Sequence, residues 1–119
     1  MIDHLKLHVS DPAASRAFYE QALGPLGYRV LLDRPESIGM GANRPDFFLA
    51  PGDGVSVPAH VAFRAESERD VDAFHAAALA AGGTDNGAPG PRPHYHQNYY
   101  GAFVLDPDGN NVEVVNHNR

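Results

Sequence analysis

The sequence contains seven histidines and no cysteine in 119 residues. A metal ion bound here must be held by imidazole and carboxylate. Thiolate zinc sites, cysteine nucleophiles, dithiol redox chemistry and disulfide staples are excluded together. Three candidate donors fall on segments where apolar and other residues alternate. His4 precedes Leu5, Leu7 and Val9; His60 precedes Val61, Phe63 and Ala65; Glu113 stands between Val112 and Val114. In a strand, alternation sends successive side chains to opposite faces. If the aliphatic faces pack against helices, His4, His60 and Glu113 point the other way, into whatever concavity the sheets enclose. A carboxylate turned toward imidazoles in a strand otherwise made of valine is costly unless paired or metal-bound. Two histidines and one carboxylate from three strands fit a divalent cation with positions open for water or substrate. A plainer reading stands beside this one: a strand-initial histidine is often a surface residue, and a terminal-strand glutamate is often merely exposed.

A second concentration of chemistry runs from Pro93 to Tyr100, PHYHQNYY. Its plain reading is a surface loop whose tyrosines pack on a sheet edge. Its functional reading is a substrate rim, with His94, His96 and Tyr100 as candidate catalytic groups able to exchange a proton near neutrality. On that reading Arg92 meets an anionic substrate group, and Tyr99 and Phe48 contact the substrate, although Phe47 and Phe48 also suit a core. His8, His75 and His117 read as structural or surface residues.

The elements that must position these groups come in two copies. Asp3–Gly27 aligns with Ala59–Gly83 without a gap, at a shift of 56 residues given by His4 on His60 (60 − 4). Ala17, Phe18, Ala22, Leu23 and Gly27 fall on Ala73, Phe74, Ala78, Leu79 and Gly83. Each copy opens with a strand and runs into a helix. Asp11 or Ser10 caps the first helix with Pro12 in its first turn, and Ser67 caps the second with Asp70 three residues on. Ala14, Ala17, Phe18 and Ala22 form one apolar stripe, and Val71, Phe74, Ala78 and Leu79 the other. Gly24-Pro25 and Gly82-Gly83 stop the helices. Strands are then expected at residues 28–33, 37–41 and 45–50, closed by a turn at 51–54. In the second half a Gly/Pro-rich loop at 86–93 precedes strands at 99–105 and 111–117, joined by the type I turn residues Asp106-Pro107-Asp108-Gly109. Each half reads as βαβββ.

Composition narrows the partners. A net charge of −6 with only nine Lys and Arg argues against nucleic acid and anionic membranes, both of which need clustered cations. No apolar run approaches the ~18 residues of a membrane helix, and the first residues lack the pattern of a secretory leader, so a cytoplasmic location is expected. Glycine and proline, 12 and 10, exceed average usage of roughly 7% and 5% and imply many tight turns. At 119 residues one domain is expected, with one module at about 1–54 and the other at about 58–119.

The opening strand with His4, the segment HVAF led by His60, and above all the ending YGAFVLDPDGNNVEVV with Glu113 resemble the vicinal oxygen chelate superfamily of glyoxalases, bleomycin-resistance proteins and extradiol dioxygenases. The resemblance extends from Ile2 to His117. It implies an α+β fold in which two tandem βαβββ modules form an open cupped mixed sheet with helices on the outside. It implies His4, His60 and Glu113 as ligands of Zn²⁺, Mn²⁺, Fe²⁺ or Ni²⁺, and a small-molecule substrate chelated through adjacent oxygens in a lyase, transferase or dioxygenase reaction. It also implies a homodimer, in some members with modules exchanged between chains. Glyoxalase I carries a fourth ligand, a glutamate, on the strand that here reads Asp46-Phe47-Phe48-Leu49, where only Asp46 offers a carboxylate. The alternative implied by the bleomycin-resistance members is a dimer that sequesters a small molecule or antibiotic without chemistry.

Overall fold

The computed structural model describes residues 1–53 and 58–119. Gly54, the last residue of the turn expected at 51–54, lies outside the described residues. The chain runs β1 (Leu5–Val9), α1 (Pro12–Ala22), β2 (Arg29–Arg34), β3 (Ser37–Gly41), β4 (Phe47–Pro51), β5 (His60–Arg64), α2 (Glu68–Ala80), β6 (Thr84–Pro91), β7 (Tyr100–Leu105) and β8 (Asn111–Asn116). These build two four-stranded mixed sheets with orders β1-β4-β3-β2 and β5-β8-β7-β6. In each, the first strand pairs parallel to the last and the remaining pairings are antiparallel. The architecture is α+β, two βαβββ modules in tandem with open sheets.

Both helices start where side-chain chemistry dictates. Asp11 accepts from the Ala14 amide at 3.1 Å, and Ser67 accepts from the Asp70 amide at 3.1 Å. Each occupies one of the donors a helix N-terminus leaves free. Gly82 follows α2 with φ +94, a left-handed conformation that glycine adopts without strain.

The buried stripe of α1 is not the one the alanines suggest. Ser15, Phe18, Tyr19 and Ala22 are buried, while Ala14 and Ala17 are exposed. Burying Tyr19 removes more apolar area from water than two methyl groups would, and its hydroxyl is satisfied by Asp106 Oδ2 at 2.5 Å. On α2, Val71, Phe74 and Ala78 face the core and Leu79 is partly exposed. The helices touch each other. Phe63 of β5 meets Phe47 edge-on at 5.2 Å and Tyr28 at 5.7 Å, so one core spans both modules.

The second correction concerns residues 84–91. The Gly/Pro-rich stretch is not a plain loop; it is strand β6, paired antiparallel with β7 and broken by register shifts on both sides of Gly87. Proline removes a ladder donor and is tolerated only at an edge, and β6 is the edge of its sheet.

The turn between β7 and β8 is held by Asp106, which is 5% exposed. Besides the Tyr19 hydroxyl, it accepts from the amides of Asp108 (2.9 Å) and Asn110 (2.8 Å) and from Asn110 Nδ2 (2.9 Å). Asn110 Oδ1 in turn accepts from the Ala59 amide at 2.8 Å. The Asp-Pro-Asp-Gly-Asn run thus ties α1, the turn and the entry to β5 together.

Candidate functional site

On β8, Val112 and Val114 point into the core and Glu113 and Val115 point to the opposite face. Cross-strand register sets Glu113 beside Ala62 of β5 and Phe103 of β7. Glu113 is only 3% exposed, so its two oxygens need partners. His60, the first residue of β5, brings Nε2 to 2.9 Å from Oε1. The Tyr99 hydroxyl donates to Oε2. Burial, and then this bond to a carboxylate, pushes the Tyr99 phenol above its ordinary value. Gly101, two residues after Tyr99 in the chain, keeps the approach open: a Cβ there would lie 3.2 Å from Tyr99 Cε1 and 3.5 Å from Glu113 Oε2.

The rim segment folds onto this group from one side. The rings of His96 and His117 each meet the Tyr99 ring edge-on, at 5.2 and 5.4 Å. His96 Nε2 and His117 Nδ1 share a hydrogen bond of 2.9 Å, in which one ring donates and the other accepts. Burial lowers the His117 pKa, assisted by the positive charges of Arg119, His96 and Arg64 and opposed by Glu113. His117, read from sequence as structural or surface, therefore belongs to the group around Tyr99. The available signal was its place on the same alternating face as Glu113. His94 stays exposed with its ring tilted against Tyr95 at 4.3 Å, and Tyr95 meets Tyr99 at 4.9 Å.

Other sequence-predicted residues lie elsewhere. Tyr100 is turned to the helix side, donating to Asp72 of α2 at 2.7 Å, which pushes its phenol up to about 12. The structure does not bring it to Glu113. Phe48 sits on the other sheet against His4, with ring centroids 5.4 Å apart. His4 bonds Asp3 at 2.7 Å. His4 and His60 face one cleft of about 400 Å³ between the starts of β1 and β5, lined also by Ile2, Tyr28 and Phe63. Yet among the described residues no three His, Asp or Glu side chains converge as a metal site. Asp46 is occupied by the Tyr28 hydroxyl at 2.8 Å, and burial together with that carboxylate raises the Tyr28 phenol well above its usual range. His75 pairs with Asp85 at 3.0 Å. Arg92 lies over the Phe103 ring, its guanidinium carbon 5.4 Å from the centroid.

Two tandem βαβββ modules with open mixed sheets are the fold of a vicinal-oxygen-chelate type of protein. The chain belongs to the Glyoxalase/Bleomycin resistance protein/Dioxygenase superfamily, whose family model matches residues 1–114. Among solved structures it is similar to a glyoxalase/bleomycin resistance protein from Albidiferax ferrireducens T118, at 29% identity and TM-score 0.82, covering 95% of this chain and 96% of that one. A glyoxalase I variant from Zea mays matches at 26% identity and TM-score 0.73, over 96% of this chain and 46% of that one. A lactoylglutathione lyase from Agrobacterium tumefaciens, at 21% identity and TM-score 0.74 over 98% of this chain and 92% of that one, shares the fold. No curated protein matches the chain. No helix is long and apolar enough to cross a membrane among the described residues.

Proposed function

We propose that the protein is a divalent-metal-dependent enzyme acting on a small oxygen-rich substrate, with His60, Glu113 and His4 as the metal ligands. The observation that carries this reading is the burial of Glu113 with His60 Nε2 at 2.9 Å from its Oε1. Two donors bound to one ion at about 2.0–2.2 Å stand roughly 3 Å apart, so the pair suits neighbouring ligand positions. His4 shares a cleft with His60 but bonds Asp3. It completes the set by leaving Asp3, or by being supplied from a second copy of the chain in a homodimer.

When bound, such an ion supplies a Lewis acid for adjacent substrate oxygens and stabilises the oxyanion that develops. The chain's own groups do the rest. Tyr99 donates to Glu113 Oε2 and fixes the rotamer of the carboxylate, as outer hydrogen bonds do for metal ligands. The His96–His117 pair beside Tyr99 holds a proton between Nε2 and Nδ1 and supplies a proton relay at the edge of the site. His94 lies further out on the rim. The reaction is of the lyase, transferase or dioxygenase type.

The test is metal content of the purified chain by elemental analysis. Wild type is expected to retain close to one divalent ion per complete site, and His60→Ala and Glu113→Gln to lose it. A wild type that binds no divalent metal, or a His60→Ala variant with full content, overturns the metal reading in favour of metal-free small-molecule sequestration.

A further inference from the structure

The row of side chains across the second sheet holds a feature that the metal reading does not use. Register places Ala62, Glu113, Phe103 and Gly87 side by side on β5, β8, β7 and β6. The last position in the row is empty of side chain, and the Arg92 guanidinium folds back to fill it. Nη2 donates to the Ala88 carbonyl at 2.8 Å and Nη1 to the Gly90 carbonyl at 2.9 Å. The guanidinium carbon rests 5.4 Å from the centroid of Phe103.

Gly87 leaves the room this seat uses, and Gly90 adds an open edge. A Cβ on Gly87 would lie 3.2 Å from Arg92 Nη2 and 2.9 Å from Phe103 Cδ1, and one on Gly90 would lie 3.4 Å from Nη1. The irregular register of β6 lets the carbonyls of 88 and 90 turn toward the guanidinium. The seat fixes a long, rotamer-rich side chain before anything binds, which lowers the cost of using it. Among the described residues no carboxylate lies within ion-pair distance of Arg92, and its Nε–H has no acceptor. A half-buried cation so placed, in a chain of net charge −6, is a site prepared for an anion from outside.

We propose that Arg92 on Phe103 is a specificity subsite on the face of the second sheet that carries Glu113, and that the substrate it selects is a carboxylate. This rests on the metal reading for the other end of the ligand. Strands stand roughly 4.8 Å apart, so the guanidinium lies one to two strand spacings from Glu113, roughly 5–10 Å. The substrate is then a compact molecule whose carboxylate is separated by a few bonds from its two chelating oxygens.

Two measurements keep this proposal separate from the metal reading. In metal-free protein, the Arg92 Nε–H resonance, assigned by its loss in Arg92→Gln, is titrated with benzoate and with benzyl alcohol. Benzoate is expected to shift it saturably and benzyl alcohol to leave it in place. In metal-loaded protein, 2-oxoglutarate is compared with 2-oxohexanoate, which has the same chelating head and no distal charge. Wild type is expected to bind 2-oxoglutarate about tenfold tighter, a difference of ~1.4 kcal/mol. Arg92→Gln should lose that preference while keeping its affinity for 2-oxohexanoate, and Arg92→Lys, which keeps the charge without the fork, should fall between. An Nε–H signal indifferent to benzoate, or a charge preference that survives in Arg92→Gln, overturns the subsite. Absence of metal with a saturable benzoate shift overturns only the metal reading.

Discussion

Replacing Tyr99 by phenylalanine tests the central contact of the site with little change of shape. The hydroxyl donates to Glu113 Oε2, and Glu113 is 3% exposed with His60 as its other hydrogen-bond partner among the described residues. A hydrogen bond to a charged group contributes about 1.5–3 kcal/mol, and an acceptor left unsatisfied in the interior costs about 1–3 kcal/mol. Tyr99 itself is only half-buried, so water can partly replace the lost donor, and the lower part of that range applies, about 1.5–2 kcal/mol. For a chain of this size that is roughly a 5–8 °C fall in Tm. Reversible urea unfolding of metal-free protein should give the same loss with an unchanged m-value. A cycle with Glu113→Gln then isolates the pair, with an expected coupling of about 1 kcal/mol or more. Tyr95→Phe, at a residue 55% exposed, serves as control and should move stability by less than about 0.5 kcal/mol. Additive losses in the cycle, or a Tyr99→Phe variant as stable as wild type, would refute the inference that this phenol holds the carboxylate.

The tyrosine–carboxylate bonds, Asp106 and Gly41 carry three further expected outcomes. Tyr19, Tyr28, Tyr99 and Tyr100 each donate to a carboxylate, and all four phenols are raised, Tyr100 to about 12. A raised folded-state value adds stability that is complete below the ordinary value near 10 and disappears as pH climbs through the folded values. Absorbance at 295 nm should therefore show four of the five tyrosines ionising late, with loss of fold; all five titrating together near pH 10 in folded protein would contradict this. Asp106→Ala strips the buried Tyr19 hydroxyl and Asn110 of their acceptor and should cost about 3–5 kcal/mol, measured by denaturant unfolding. Gly41→Ala would put a Cβ 1.9 Å from the Arg44 carbonyl oxygen; the backbone must move, and a loss of about 3 kcal/mol or more is expected, visible as a Tm drop of roughly 10 °C.

Much of the fold was legible before any coordinates. The repeat at a shift of 56, the caps at Asp11 and Ser67, and the alternating valines of 111–116 place every strand but β6 within about two residues of its observed position. Two misreadings share a cause. Apolar type alone picks a stripe on α1 that discounts Tyr19; the aromatic ring wins the core because Asp106, 87 residues away in sequence, satisfies its hydroxyl. Turn composition predicts a loop at 86–93, which discounts the ability of an edge strand to carry prolines and bulges, and the structure makes 84–91 strand β6 beside β7.

At the site the division is similar. Local periodicity put Glu113, His117 and the histidines that open each module on the side of the strands away from the helices, because the alternation of side chains along a strand is a property of a few consecutive residues. Which of them meet is a property of register between strands and of packing between modules. That is why His60 and Tyr99 reach Glu113 while His4 stays with Asp3, why Tyr100 turns to Asp72 although its neighbour Tyr99 does not, and why a glycine on β6 leaves room for Arg92. Local pattern sets most of the elements and the faces of their strands, whereas the pairings come from the folded chain, because they depend on distances between segments that share no local pattern.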